Sequence, residues 1–214
     1  MEGAPSQMAP LAAHLRREGF LTRSVHYATR TTLDVMARDV IRQVRAFGDP
    51  AGRLHVVGHS MGGILGRAVA AAFAGERFGR LVQIGAPNRG AGRIDWIPDL
   101  VLFRRRVARG YFELSPSSSR LADWPVPECE IGIIAGSKTF HPAVPGSWLV
   151  TAAQRFYKTD AEGPTDGCVS VEETRLEGAA HVVVPYAHDW MPREPVVHRH
   201  VESFLRSGEF DVSA

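Results

Sequence analysis

A Gly-His-Ser-Met-Gly sequence at residues 58–62 constrains the fold of this 214-residue chain more than any other feature. It follows a strand-like apolar run at residues 54–57 and precedes an alanine-rich, helix-like run at residues 63–74. A strand that turns directly into a helix strains the residue at the turn, and flanking glycines leave room for that turn. The turn would expose the Ser60 hydroxyl at a helix N-terminus, where amides and the helix dipole stabilise negative charge. Ser60 is therefore predicted to be a nucleophile.

Apolar periodicity predicts that helices and strands alternate along most of the chain. Predicted helices span residues 8–18, 33–47, 63–74 and 195–205, and predicted strands span residues 20–27, 54–57, 81–85, 131–136 and 181–184. Thr32 is the expected N-cap of the second helix. Short apolar strands between helices indicate an α/β fold with a mostly parallel sheet covered on both faces. The length favours one domain over residues 1–214.

Composition excludes several classes of protein. Apolar residues make up 44% of the chain and charged residues 22%, which is typical of a globular protein. The net charge of +2 comes from interspersed acids and bases, so we expect no nucleic-acid partner. No apolar run approaches the roughly 18 residues of a membrane span, and no leader sequence is recognisable, so we expect a soluble cytoplasmic protein. The two cysteines, Cys129 and Cys168, are expected to be buried free thiols.

One long insertion interrupts the alternation, with about 45 residues between the strands at 81–85 and 131–136. Within it, residues 94–106 combine apolar and basic side chains. One interpretation is a lid over the serine, or a surface-binding face, within residues 89–121. The other is an ordinary amphipathic helix packed on the domain, although Pro98 argues against a single continuous helix.

A nucleophilic serine needs a general base, and in an open parallel sheet that base comes from a loop after a later strand. His188 fits this position, because it follows the last predicted strand and precedes the terminal helix. The remaining histidines precede the serine, lie in predicted strands or helices, or stand in a proline-flanked loop; they are His14, His26, His55, His59, His141, His181, His198 and His200. We interpret His59 as part of the packing of the turn, directed away from the Ser60 hydroxyl.

The base in turn needs an orienting acid, and Asp166 is the best candidate. It lies in a turn in which Gly167 allows a sharp bend beside the carboxylate, 22 residues before His188. Asp160 is a competitor, and Asp189 is too close to His188 in sequence to orient its far nitrogen easily. An Asx turn without a catalytic role is the alternative interpretation of Asp166.

Four segments together resemble the α/β-hydrolase lipases and esterases: Gly-His-Ser-Met-Gly-Gly at 58–63, Gly-Ala-Pro-Asn-Arg-Gly at 85–90, Asp-Gly-Cys-Val-Ser at 166–170, and His188 before a terminal helix. The resemblance implies the α/β-hydrolase fold, with Ser60 as nucleophile, Asp166 as acid and His188 as base. It implies cleavage of a small-molecule or lipid-like carboxylic ester through an acyl-enzyme, with no metal or organic cofactor. Acyl transfer, thioester or amide cleavage by the same triad, and a non-catalytic binding module of the same fold, remain alternatives.

The chain departs from this family near its beginning. Such enzymes have an upstream strand whose following loop supplies one amide of the oxyanion hole, and here that position falls at or near Met1. Met61, directly after the nucleophile, still supplies the other amide. Loss of one donor typically costs about 10²–10³ in turnover. We expect that one or more N-terminal strands are missing because the true start lies upstream; a shortened, weakened or inactive hydrolase is the alternative.

Overall fold

A four-stranded, entirely parallel sheet forms the centre of the molecule, which is a computed structural model that describes residues 5–47, 52–75, 78–92, 94, 109–139 and 163–211. The strands neighbour one another in chain order, and every pair is parallel. They are β1 (Leu54–His59), β2 (Phe78–Ile84), β3 (Glu130–Gly136) and β4 (Ala180–Val184). The carboxyl ends of all four strands therefore meet at one edge, as the alternating pattern predicts.

Five α-helices precede, connect or follow these strands in the described ranges. They are α1 (Pro5–Arg17), α2 (Leu33–Ala46), α3 (Met61–Ala72), a single turn α4 (Arg109–Phe112) and α5 (Pro195–Ser207), with 3-10 turns at Ser119–Leu121 and Met191–Arg193. Thr32 caps α2 as predicted, and its hydroxyl accepts a hydrogen bond from the Val35 N–H at 3.4 Å. Gly208 ends α5 in the left-handed region, at φ +83°, where glycine has no steric penalty.

Helices cover both faces of the sheet, each over its own apolar core. On one face α2 and α3 bury Met36, Ile64 and Leu65. On the other face α1 and α5 bury Leu11 and Phe204. Each fully buried side chain of this size contributes about 1.5–3 kcal/mol relative to exposure. The predicted two-faced α/β fold is thus confirmed, and the two layers hold the sheet edge in a defined geometry.

The strand predicted at residues 20–27 is wrong. This run forms no strand. The backbone of His26, within it, bonds to a side chain instead: the Gln43 amide accepts from the His26 N–H at 3.1 Å and donates to the His26 carbonyl at 2.6 Å. Within the described residues β1 pairs with β2 alone. The run has a strand-like composition, but a strand also needs a neighbouring strand with which its backbone can form hydrogen bonds.

Both described ends of the insertion are anchored to the domain. The Leu33 N–H donates to Glu113 Oε2 at 2.7 Å, and the Ala91 N–H donates to the Leu114 carbonyl at 2.8 Å. Apart from Ile94, the predicted lid stretch at 94–106 lies outside the described residues, so its role as a lid stays a prediction. No helix in the described ranges is both long enough and apolar enough to span a bilayer.

The two cysteines differ in their surroundings. Both are free thiols, but only Cys129 is partly buried, and Cys168 is exposed. The prediction of a buried thiol is therefore wrong for Cys168. Its backbone, rather than its side chain, faces inward, because the Cys168 N–H donates to Asp166 Oδ1 at 2.8 Å.

Candidate active site

Ser60 occupies a strained turn between β1 and α3. It is the one non-glycine residue of the described ranges with positive φ, at φ +54° and ψ −127°. Such a conformation costs about 1–3 kcal/mol and is held in place by its surroundings. The Ser60 N–H donates to the Ile84 carbonyl at the end of β2, at 2.8 Å. A Cβ at Gly58 would lie 2.4 Å from the Gly62 carbonyl oxygen, so glycine is sterically required there.

Asp166 and His188 form a buried pair at the same edge of the sheet. Asp166 Oδ2 lies 2.7 Å from His188 Nδ1, and the two residues are 1% and 6% exposed. Asp166 Oδ1 accepts the N–H groups of Cys168 at 2.8 Å and Val169 at 2.7 Å. An ionised carboxylate only accepts hydrogen bonds, so it favours the tautomer of His188 that carries its proton on Nδ1. Nε2 is then able to accept a proton.

The Asp166–His188 pair lies beside Ile84, whose carbonyl accepts the Ser60 N–H. Gly85 directly follows Ile84, and a Cβ at Gly85 would lie 3.1 Å from both Asp166 Oδ2 and His188 Nδ1. Among the hydrogen bonds of the described residues, none joins the Ser60 hydroxyl to His188. Such bonds are often long before substrate binds and tighten in the reacting complex. A hydrogen bond between the Ser60 hydroxyl and His188 Nε2 in the reacting complex remains a prediction.

His59 contacts the proposed base, a role that the sequence interpretation missed. Its ring centroid lies 4.6 Å from that of His188, and His59 Nε2 donates to the His188 carbonyl at 3.1 Å. Burial, followed by the charge of His188, lowers the pKa of His59 to about 3. His59 is therefore neutral at physiological pH. Its place directly before Ser60 was the available signal, but nothing in the spacing indicated which ring it would touch.

A buried arginine holds α3, the helix that follows the Ser60 turn; this turn, residues 58–62, is called the elbow below. Arg67, on α3, is 2% exposed, and it donates to Asn88 Oδ1 at 3.2 Å and to the carbonyls of Trp124 at 2.9 Å and Pro125 at 2.8 Å. Burial lowers the pKa of Arg67 to about 10. All three acceptors are neutral, so the guanidinium acts here as a rigid fork that joins α3 to two loops.

Asn88 continues this network toward the elbow. Its amide donates to Gln83 Oε1 at 2.7 Å and to the Thr174 carbonyl at 2.8 Å. Gln83 in turn donates to the Gly63 carbonyl in the first turn of α3, at 2.9 Å. Asn88, in the 85–90 segment, therefore bonds through Gln83 to the helix that follows Ser60.

One cluster of the described residues has the composition of a metal site: His14, Glu18 and Glu202, on α1, just after it, and on α5. Glu202 already has two protein partners, His14 Nε2 at 3.0 Å on one oxygen and Arg206 Nε at 3.0 Å on the other. A guanidinium bound to the same carboxylate opposes a second cation. The cluster is best described as a hydrogen-bonded network in which His14 on α1 contacts Glu202 on α5.

Two candidate site residues from the sequence analysis are outside the described ranges. They are Met1, the expected position of the second oxyanion donor, and Asp160, the competing acid. The other competitor, Asp189, is exposed, and Gln7 Nε2 donates to its carboxylate at 3.4 Å. Of the acids described, Asp166 is thus the one that meets the His188 ring.

Solved structures of lipases and esterases share this architecture. The mature lipase BlEst2 of Bacillus licheniformis aligns with a TM-score of 0.63 at 14% identity, over 95% of this chain and 84% of that chain. The metagenomic carboxyl esterase MGS0156 aligns with a TM-score of 0.67 at 17% identity, over 83% and 57%. A structure of the metagenome-derived lipolytic enzymes LipS and LipT aligns with a TM-score of 0.60 at 18% identity, over 95% and 89%.

These identities are low, so the structural likeness establishes the fold alone. No curated protein sequence is significantly similar to this chain. The family model described as "Alpha/beta hydrolase family" matches residues 5–210, which is nearly the whole length. Together with the parallel sheet and the strained serine turn, this match shows that the chain belongs to the alpha/beta hydrolase family.

Proposed function

We propose that this protein is a serine hydrolase that cleaves carboxylic esters, with Ser60 as nucleophile, His188 as base and Asp166 as the acid that orients the base. One observation carries the proposal: a strained serine at φ +54° shares a sheet edge with a buried carboxylate–imidazole pair at 2.7 Å. A lone surface serine has no such surroundings, and an unassisted hydroxyl is a poor nucleophile.

In the first half of the reaction, His188 Nε2 takes the Ser60 proton while Oγ attacks the ester carbonyl. The Asp166 carboxylate stabilises the resulting imidazolium through the Nδ1 contact. The oxyanion forms at the N-terminus of α3, where the Met61 amide is one of the first amides and has no intrahelical acceptor. His188 then protonates the departing alcohol, which leaves an acyl group on Ser60.

In the second half, His188 Nε2 removes a proton from water, and the hydroxide attacks the acyl carbonyl. The same amide receives the second oxyanion. Collapse returns the proton to Ser60 and releases a carboxylic acid. Asp166 remains ionised throughout, since its role is to hold the tautomer and to offset the charge of the imidazolium.

The choice of an ester follows from the lipases and esterases among the structural neighbours and from the apolar residues at 94–103. A lipid-like acyl chain would suit side chains of this apolar composition. Thioesters, amides or transfer to another acceptor would use the same three residues, since the pocket rather than the triad selects the acyl group.

The proposal is tested with Ser60→Ala, p-nitrophenyl esters of graded chain length, matched thioester and amide substrates, and a fluorophosphonate probe. Wild type should hydrolyse esters and take up the probe, whereas Ser60→Ala should do neither and still unfold cooperatively. Ser137→Ala is the matched control, because Ser137 also follows the end of a strand and its hydroxyl donates to the Val184 carbonyl, at 3.2 Å. Ester turnover by Ser60→Ala would refute the proposal, and a preference for thioesters or amides would correct the substrate class.

A further inference from the structure

An acyl-transfer oxyanion is ordinarily held by two hydrogen-bond donors, and the described elbow supplies one from the backbone, the Met61 amide. The position from which the sequence predicts the second, near Met1, is outside the described residues. We therefore searched the side chains around the N-terminus of α3 for a group that can donate to an anion there.

Tyr27 brings a hydroxyl to this end of α3. It ends the run 20–27, and its ring packs against the apolar core that contains Met61. The hydroxyl oxygen lies 3.4 Å from the position that a Cβ on Gly62 would occupy. Gly62 lies in the first turn of α3, two residues after Ser60, so the hydroxyl reaches the end of the helix that carries the serine.

The described part of the chain leaves the donor capacity of this hydroxyl unused. Within the ranges that the structure describes, no residue forms a hydrogen bond with the Tyr27 oxygen. Burial, followed by the nearby Tyr111, raises the pKa of Tyr27 to about 12. The phenol is therefore protonated at every pH at which the protein would work. A neutral O–H beside the positive end of a helix suits an anion, while a phenolate would repel one.

We propose that the Tyr27 hydroxyl is the second donor to the oxyanion, together with the Met61 amide; this rests on the proposed function. As the bond between Ser60 Oγ and the carbonyl carbon forms, the carbonyl π electrons move to oxygen, and Tyr27 donates a hydrogen bond to that oxygen. The phenol keeps its proton. When the intermediate collapses, the electrons return and the alcohol leaves with the proton carried by His188.

Gly62 has a matching role in this arrangement. A methyl group at this position would touch the Tyr27 oxygen at 3.4 Å, an ordinary van der Waals distance, and a longer side chain would cover the hydroxyl. The absent side chain leaves the phenol open toward the end of the helix. The second glycine of the elbow thus keeps the donor accessible, in addition to allowing the sharp turn.

The test compares Tyr27→Phe with Tyr111→Phe and Ser60→Ala. Tyr27→Phe removes one oxygen and keeps the ring that packs in the core. Tyr111 is a nearby tyrosine whose pKa is also raised by burial, but it is 40% exposed and has no described contact with the elbow. The readouts are kcat and KM for p-nitrophenyl butyrate, the inhibition constant of a trifluoromethyl ketone that forms a tetrahedral adduct, and thermal unfolding.

Tyr27→Phe should lower kcat by about 10²-fold, leave KM nearly unchanged and weaken the ketone adduct by a similar factor. Tyr111→Phe should stay within about twofold of wild type. Wild-type turnover by Tyr27→Phe, with Ser60→Ala inactive, would overturn this inference and leave the proposed function standing. A rise in KM alone, or a fall in kcat without weaker ketone binding, would also overturn it. Activity in Ser60→Ala would overturn both proposals.

Discussion

Asp166→Asn changes a single atom of the buried acid, and the surrounding hydrogen bonds dictate which way the new amide must face. Asp166 Oδ1 accepts two backbone N–H groups, from Cys168 and Val169, so the amide oxygen has to remain on that side. The NH₂ group then faces His188 Nδ1, at the 2.7 Å now held by a carboxylate oxygen. An amide nitrogen only donates, so Nδ1 must accept and the ring proton moves to Nε2. That nitrogen is then unable to take the proton of Ser60.

The expected loss of kcat is large because the substitution reverses which ring nitrogen of His188 carries the proton. An inverted tautomer in a Ser-His-Asp site lowers kcat by about 10⁴, which corresponds to about 5.4 kcal/mol at 1.36 kcal/mol per factor of ten. Stability should change less. The three hydrogen bonds to the carboxylate become neutral, and each loses about 1 kcal/mol. Asp166→Asn should therefore fold and still be nearly inactive.

The assay is hydrolysis of p-nitrophenyl butyrate from pH 6 to 9, with circular dichroism to show that the variant is folded at the assay temperature. Asp189→Asn is the matched control, because this exposed aspartate adjoins His188 in sequence and contacts Gln7 instead of the ring. We expect Asp189→Asn to retain wild-type turnover. A folded Asp166→Asn that keeps more than about a tenth of wild-type kcat would refute the tautomer reasoning, whatever the control does.

Three further predictions follow from buried polar groups. His59→Phe keeps a ring against His188 but leaves its carbonyl without the 3.1 Å donor, so kcat should fall about tenfold, or about 1.4 kcal/mol, in the same assay; unchanged kcat would contradict a positioning role. Arg67→Met leaves three acceptors without their donor and should lower the free energy of unfolding by about 2–4 kcal/mol in urea titrations. Arg67→Lys should recover part of this stability. Burial lowers the pKa of His59, His198 and His200 in the folded protein, whereas in the unfolded chain a histidine has its ordinary pKa of about 6.5. Below that pH the unfolded chain binds more protons than the folded protein, so the free energy of unfolding should fall as the pH drops. His200→Gln should flatten this loss in melting curves, since the buried His200 Nδ1 has no partner among the described residues.

Local pattern was sufficient for much of the fold. The helix around Met36 and Val40, the strand before Ser60 and the terminal helix were predictable because each depends on the spacing of nearby apolar residues. The strained serine was also predictable, since a serine between two glycines at a strand-to-helix turn is typical of a strained, exposed hydroxyl. The same reasoning failed at residues 20–27, where a strand-like composition pairs with none of the four described strands.

By itself, the sequence determined the layered α/β architecture and the exposed serine at its helix end, because both follow from contacts between residues close together along the chain. Only the tertiary structure decided which acid meets His188, that His59 lies against that ring, and that the Tyr27 hydroxyl reaches the elbow. These contacts join residues 22, 129 and 35 positions apart. Their geometry depends on how two apolar cores position the strand ends and loops, and no local pattern encodes that arrangement.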